Sequence, residues 1–142
     1  MARTPNGASL PYPPQWRRAH GDPGTATAVL IDSRERIAGY LNVTPRQGNE
    51  QLSNWSSFRP DHNRDEGDRN VTTLAAATGL RFHTGSGTCV KDAYTTAVGT
   101  HYIELACLVR GRTSSVIVGA ALAENWDAVA PVLQRAISAF ET

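Results

Sequence analysis

Cysteine and histidine, which often serve as nucleophiles, general bases or metal ligands, are scarce in this chain: it has two cysteines and four histidines. The histidines are His20, His62, His83 and His101, and none belongs to the His-Glu-x-x-His pair of a zinc protease. Neither cysteine has a second cysteine at the short spacing that zinc sites use. The spacing therefore predicts no metal site, and no motif calls for a cofactor.

A hydrolase could still be assembled from distant parts of the chain. His62, His83 or His101 would act as the base, with Asp61 or Asp92 as its acidic partner. General acid–base catalysis needs such groups within hydrogen-bond reach of one another and of a substrate. A deep pocket joining them would support this hypothesis, and their dispersal would count against it.

The two cysteines lie at equal distances from the centre of a hairpin pattern. Cys89 and Cys107 fall in two stretches rich in β-branched and aromatic residues, 88–96 and 100–109. Gly99 occupies the third place of the intervening turn, where a left-handed residue is needed. Folding the chain at this turn pairs Cys89 with Cys107 at a non-hydrogen-bonded position, where Cα atoms approach to about 4.5 Å. We predict a cross-strand disulfide; two buried thiols facing each other are the alternative.

A structural disulfide is typical of proteins that fold outside the reducing cytoplasm. The first residues lack the apolar stretch of a secretory signal, and no apolar run reaches the ~20 residues that span a bilayer. We therefore expect an extracytoplasmic protein, in the cell envelope or secreted, whose export or anchor segment is not present in this chain. A cytosolic protein would begin in the same way, so that alternative stays open.

Charge composition excludes some partner classes. The 142 residues carry 14 basic and 13 acidic side chains, interspersed, for a formal net charge of +1. No basic block is present, so nucleic-acid binding is not expected, and neither is membrane insertion by this segment. The partner is expected to be a protein or a small molecule.

The elements that would position these residues are mostly strands in hairpins. Residues 1–12 are rich in proline, glycine and serine and predict a flexible leader, followed by one domain over residues 13–142. Residues 115–122 form a continuous apolar run, typical of a strand covered on both faces. Hairpins imply antiparallel pairing. The sequence thus predicts an α+β fold, a single α/β/α sandwich whose central antiparallel sheet has about seven strands, with helices on both faces.

Two helices are expected, and each contains a proline. Residues 49–59 predict the first helix, with Asn49 as cap and a kink or break at Pro60. Apolar residues at intervals of three and four predict the second helix over residues 123–140. Pro131 should divide it, either by ending a short helix at Ala130 or by opening the main one.

The order of these features resembles a known family. A tryptophan near the start precedes a Gly-Asp-Pro-Gly turn at residues 21–24, and a first hairpin then ends in Gly39-Tyr-Leu-Asn-Val-Thr-Pro45. A helix around Asn54-Trp55, the central hairpin and a closing helix from Trp126 to Phe140 follow. This pattern resembles the PsbP-like α/β/α sandwich family, and most closely the uncharacterised extracytoplasmic (LpqN-type) domains of actinobacterial envelope proteins. The resemblance implies an accessory or binding protein without a shared catalytic centre, so no catalytic residue is transferred.

The first helix supplies the candidate binding patch. Trp55, Arg59, His62 and Asn63 would lie near one another if the helix passes Pro60, and would suit a polar ligand or a protein partner. Alternatively, Trp55 packs on the sheet and the others form its solvated rim. The leading hypothesis is a non-enzymatic extracytoplasmic binding or accessory domain. The alternatives are a cytosolic GTPase-binding regulator of the same fold and a small hydrolase.

Overall fold

A seven-stranded antiparallel sheet is the main element of the computed structural model, which describes residues 1–46 and 48–142. In chain order the elements are β1 (Ala2–Arg3), β2 (Ser9–Leu10), β3 (Arg17–Ala19), β4 (Ala26–Ile31), β5 (Ile37–Pro45), α1 (Trp55–Asp65), β6 (Arg69–Phe82), β7 (Gly85–Thr95), β8 (His101–Arg110), β9 (Ser114–Leu122) and α2 (Trp126–Ser138). Strands β3 to β9 form the sheet in the order β3-β4-β5-β9-β8-β7-β6, and β1 and β2 form a separate hairpin. A 3-10 turn at Ala123–Asn125 leads into α2.

The two helices cover opposite faces of the sheet. Trp55 of α1 belongs to a buried cluster with Ala106, whereas Leu133 of α2 belongs to a second cluster with Cys107. Successive residues of a strand point to opposite faces, so Ala106 and Cys107 mark the two sides of β8. The predicted α/β/α sandwich with an antiparallel sheet is therefore confirmed.

Strand β9 lies at the centre, paired with β5 on one side and β8 on the other. Nearly all of its residues are buried, as the continuous apolar run predicted. Gly119 allows α2 to approach closely, because a Cβ there would lie 3.2 Å from side-chain atoms of Leu133 and Ile137. This strand therefore contributes apolar side chains to the cores on both faces of the sheet.

The cysteine hairpin forms as predicted. Cys89 is paired directly with Cys107 in the β7–β8 ladder and bonded to it, with a Cα–Cα distance of 4.1 Å. Gly99 has a φ of +87°, and the amide of Thr96 donates to the carbonyl of Thr100 at 2.9 Å. The structure thus has the predicted disulfide, which closes the central hairpin, and not the alternative of two reduced thiols.

Both helices differ from their expected form, because neither proline interrupts its helix. The first helix runs over Trp55–Asp65 rather than residues 49–59, and includes Pro60. The second helix continues from Trp126 through Pro131 to Ser138. Each proline removes one backbone hydrogen bond, but each helix buries a face against the sheet. Tertiary packing of that face, rather than local propensity, decides where the helices run.

The amino-terminal residues also differ from the flexible leader predicted over residues 1–12. Ala2, Ala8 and Leu10 are at most 1% exposed, and Leu10 belongs to the cluster beneath α2. The amide of Ser9 donates to the carbonyl of Glu141 at 2.8 Å, and the reverse bond is 3.2 Å. Residues 2–10 are therefore part of the packed domain, because Leu10 and the small apolar residues fill the end of the core despite the turn-rich composition around them.

We predict that the disulfide contributes about 1 to 3 kcal/mol to the free energy of unfolding by restricting the unfolded chain over its 18-residue separation. Urea denaturation of the oxidised protein, the reduced protein and the Cys89→Ala/Cys107→Ala variant measures it. The last two should have lower midpoints than the first. Equal midpoints in all three would contradict the prediction.

Candidate functional site

Helix α1 presents two adjacent stripes of side chains. Residues four apart lie on one helix face, so Trp55, Arg59 and Asn63 share a stripe and Phe58 and His62 share the next. The first stripe faces the sheet, since Trp55 and Asn63 are buried. The second stripe borders an open cleft. The candidate patch is therefore divided between the interior and the surface.

Trp55 fixes the start of the helix on the sheet. Its side chain is 1% exposed, and its indole Nε1–H donates to the carbonyl oxygen of Ala106 at 2.9 Å. The apolar ring is thereby buried, and its polar N–H has a hydrogen-bond acceptor. Trp55 packs on the sheet, as the alternative interpretation held, but Arg59 and Asn63 do not form a solvated rim.

A buried ion pair fixes the middle of the helix. The guanidinium of Arg59 donates to both carboxylate oxygens of Glu104, with Nη2–Oε2 at 2.7 Å and Nε–Oε1 at 3.2 Å. The Glu104 side chain is 0% exposed and that of Arg59 15%. The side-chain amide of Asn63 donates to the same carboxylate. Burial disfavours the charge on Arg59, but the attraction and hydrogen bonds of Glu104 outweigh this effect and raise the pKa of Arg59.

A second carboxylate lies directly beside this pair. Asp92 is paired with Glu104 across the β7–β8 ladder and is 0% exposed. Among the described residues, neither of its carboxylate oxygens has a hydrogen-bond partner of good geometry. Burial, and then repulsion from Glu104, raise the pKa of Asp92 to about 6, while the nearby hydroxyl of Thr73 and the charge of Arg59 act in the opposite direction. Asp92 is thus a buried acid whose charge the nearby guanidinium groups compensate only in part.

Two tyrosines extend the polar cluster toward the cleft. The hydroxyls of Tyr40 and Tyr94 lie 3.3 Å apart. Burial, and then the negative charge of Glu104, raise the pKa of Tyr40 to about 12. Burial also raises the pKa of Tyr94. Both phenols therefore stay neutral at physiological pH and serve as hydrogen-bond groups.

The cleft lies between α1 and the β4–β5–β9 part of the sheet and has a volume of about 620 Å³. Its strand wall carries a chain of hydrogen bonds: the amide of Asn42 donates to the hydroxyl of Thr27 at 2.7 Å, and the hydroxyl of Thr44 donates to the Asn42 oxygen at 2.8 Å. Val116 and Val118 contribute an apolar part of the lining. A cleft that combines apolar surface with a few fixed polar groups is the usual form of a small-ligand site.

The helix wall of the cleft is a column of stacked rings. Trp55 and Phe58 have ring centroids 6.0 Å apart, and Phe58 and His62 have centroids 6.5 Å apart with an interplanar angle of 7°. The column runs from the fully buried Trp55 to His62, whose side chain is 44% exposed. His62 is therefore the member of the predicted patch that solvent and a ligand reach most easily.

The residues of the predicted hydrolase are not brought together. His62 lies beside Glu66 at 3.7 Å, His83 beside Glu141 at 3.3 Å, and His101 Nδ1 beside the hydroxyl of Thr95 at 2.9 Å. The carboxylates are equally separate: Asp61 binds Arg64, and Asp92 is enclosed beneath α1. In the described part of the chain, no side-chain hydrogen bond or ion pair joins a histidine to either aspartate, and no group of three or more potential ligand residues could hold a metal ion.

Sequence reasoning missed Glu104, and it named Asp92 only as a possible acidic partner of a catalytic histidine. The signal was present, because the same count about the hairpin turn that pairs Cys89 with Cys107 also pairs Asp92 with Glu104. Asp92 lies two residues after Val90 and Glu104 two residues before Ala106, so both acids share the face of these apolar residues, which pack beneath α1. Two acids opposite each other on a buried face require a cation, and Arg59 on the facing helix supplies it.

No family model and no curated protein matches this chain. The fold does match solved structures. The cyanobacterial PsbP protein (CyanoP) from Synechocystis sp. PCC 6803 is similar over 100% of this chain and 90% of its own length, with a TM-score of 0.65 and 18% identity. PA94 from Pseudomonas aeruginosa, a protein of unknown function, is similar over 97% of this chain and 83% of its own, with a TM-score of 0.55 and 8% identity.

LpqN of Mycobacterium tuberculosis, described as involved in cell envelope biogenesis, covers 96% of this chain and 84% of its own length at 13% identity and a TM-score of 0.49. Because this TM-score is below 0.5, the fold assignment rests on CyanoP and PA94 instead. The PsbP-like fold expected from the sequence is thus confirmed, and a closer kinship to actinobacterial domains stays a prediction. No helix among the described residues is long and apolar enough to cross a membrane.

We predict that Asp92→Asn stabilises the protein at neutral pH. The folded-state pKa of about 6 lies above the unfolded value of about 3.9, so the folded state binds more protons between these values. The free energy of unfolding should therefore fall as pH rises from 4 to 6 and stay lowered above that. Asp92→Asn should remove the loss, adding about 1 to 3 kcal/mol at pH 7.5 and little at pH 4.

Chemical denaturation at pH 4, 5, 6 and 7.5 measures this profile. Asp61→Asn is the matched control, because Asp61 is an exposed carboxylate on α1 and its replacement should alter stability by less than about 0.5 kcal/mol. A parallel pH dependence of wild type and Asp92→Asn would show that Asp92 does not carry the effect.

Proposed function

We propose that this chain is a non-enzymatic extracytoplasmic binding or accessory domain that recognises a small polar ligand, or the polar end of a protein partner, in the cleft beside α1. The observation that carries the proposal is the cleft itself, a volume of about 620 Å³ bordered by a ring column and by a hydrogen-bonded strand wall. The ion pair beneath α1 holds one of these walls in place.

The lining chemistry favours a ligand that offers hydroxyl, amide or amine groups. Thr27, Asn42 and Thr44 form an ordered row of donors and acceptors on one side. Phe58 and His62 present an edge of stacked rings on the other. A polar ligand could satisfy the row while an apolar part of it lies against the rings.

The four residues of the predicted patch have different roles in this proposal. His62 would contact the ligand directly, because it is exposed and borders the cleft. Arg59 also borders the cleft, but its guanidinium is bound to Glu104, so it acts mainly by positioning α1. Trp55 and Asn63 are buried and support the helix from below.

The disulfide supports an extracytoplasmic location, since stable disulfides are rare in reducing compartments. It counts against the cytosolic GTPase-binding regulator of the same fold. The separation of the histidines from Asp61 and Asp92 counts against the hydrolase. PsbP-like proteins of low identity support the fold alone, so the functional proposal depends on the cleft and the disulfide.

We predict that a member of a panel of disaccharides, dipeptides and nucleosides produces saturable shifts in the amide NMR spectrum confined to the cleft, including Asn42 and His62. Asn42→Ala and His62→Ala should each weaken that binding by about fivefold or more, in line with the loss of one hydrogen bond or ring contact. The cleft would then be the binding site.

Arg34→Ala in the exposed β4–β5 turn is the control and should leave binding unchanged. Shifts that map away from the cleft, or binding that is insensitive to both cleft variants, would contradict the proposal. Intact mass with and without reductant, on protein from its native compartment, tests the location separately: two free thiols would contradict it.

A further inference from the structure

A second concavity lies on the opposite face of the sheet, beside α2. It has a volume of about 320 Å³ and lies between α2 and the outer strands β6 and β7. Helix α2 packs chiefly on β9, so the outer strands extend beyond the area that it covers. The face of β6 next to α2 is therefore exposed, whereas Cys89 of β7 is buried at the border with α2.

The floor of this groove is apolar and follows from strand register. Ala77 is paired with Cys89, and Ala75 with Lys91, so these residues share the face on which α2 lies. The alanines add little bulk, which keeps the groove open. Apolar lining comes from Leu80, Phe82, Cys89, Leu105 and, on the helix, Ile137.

The charges that line the groove are all positive. Lys91 and Arg81 border it, and none of the described acidic residues does. Within the described residues, neither of these two side chains takes part in a salt bridge or a side-chain hydrogen bond. Lys91 is half-buried at the groove while its ammonium has no protein partner. An apolar trough with an uncompensated cation at its border matches an anionic head joined to an apolar chain.

We propose that this groove binds a single-chain anionic amphiphile, such as a fatty-acid carboxylate, with its acyl chain along Ala75, Ala77 and Leu105 and its head on Lys91. The groove is separated from the cleft beside α1 by the whole thickness of the sheet, so the site is additional to the proposed function and independent of it.

The charge and the strand edge argue against other occupants. A second copy docked groove to groove would bring the Lys91 and Arg81 side chains of both copies together, which like-charge repulsion disfavours. An added strand would have to pair with β6, whose ladder to β7 is interrupted by three register shifts. Irregular edges of this kind resist strand addition.

Amide NMR titration with octanoate, decanoate and dodecanoate, each below its micelle concentration, tests the proposal. Shifts should be saturable and confined to the groove, and affinity should rise by about two- to fourfold per added methylene, as burial of each CH₂ predicts. Dodecan-1-ol, which has the same chain without the charge, should bind about five- to tenfold more weakly than dodecanoate.

Two variants separate the head contact from the chain contact. Lys91→Gln should weaken dodecanoate by about five- to tenfold and leave dodecan-1-ol unchanged. Ala75→Trp, at an exposed strand position that tolerates a large ring, should fill the groove and abolish binding of both. Arg34→Gln, on the distant β4–β5 turn, is the control for a general loss of positive charge and should have no effect.

Equal affinity for dodecanoate and dodecan-1-ol, or no response to Lys91→Gln, would overturn the proposal, as would shifts centred on the cleft beside α1. Concentration-dependent self-association that Ala75→Trp abolishes would assign the groove to a second copy instead. Binding to anionic vesicles without binding to dodecanoate would assign it to a membrane surface. Each of these results also overturns the proposal.

Discussion

The ion pair between Arg59 and Glu104 is the constraint on which the rest of the α1 face depends. Glu104 is fully buried on β8, where an unpaired carboxylate is costly, and Arg59 reaches it from α1. Such a pair adds little net stability, because desolvation offsets the attraction, but removal of one partner costs about 3 to 5 kcal/mol. The pair therefore acts mainly by specifying position. It sets where α1 sits, and α1 is one wall of the cleft.

The helices lie diagonally across the two faces of one sheet. Helix α1 contacts β6, β7 and β8, whereas α2 packs chiefly on β9. Each helix leaves part of its own face of the sheet uncovered, and a concave surface results on each face. The polar cleft lies over β4, β5 and β9 beside α1, and the apolar groove lies over β6 and β7 beside α2. The centre of the sheet is covered on both faces, because β9 is apolar on both sides and the Cys89–Cys107 bond closes the hairpin beside it.

Local rules were sufficient for the centre of the fold and failed at its margins. The hairpin about Gly99 and the disulfide followed from turn chemistry and counting, and the two-sided strand followed from its apolar run. Pro60 was expected to kink or break its helix and Pro131 to end one helix or begin another, but both helices continue through their prolines because burial of a helix face outweighs the loss of one backbone bond. The burial of Leu10 was not predicted, because the sequence around it is typical of turns and because the residues that cover it belong to the distant carboxyl-terminal segment. The pairing of Asp92 with Glu104 could have been found from the hairpin count, but their cation lies on another element, and register alone does not identify it.

A double-mutant cycle at the ion pair tests the central claim most directly. Arg59→Met keeps the buried stem of the side chain, and Glu104→Gln keeps the shape of its partner; unfolding free energies and amide exchange of α1 would be measured for both single variants and the double variant. We expect a coupling energy of about 2 to 4 kcal/mol. Exchange in α1 should be faster in each single variant than in the double variant. Additive single effects, with protection of α1 unchanged in Arg59→Met, would show that the pair does not position the helix.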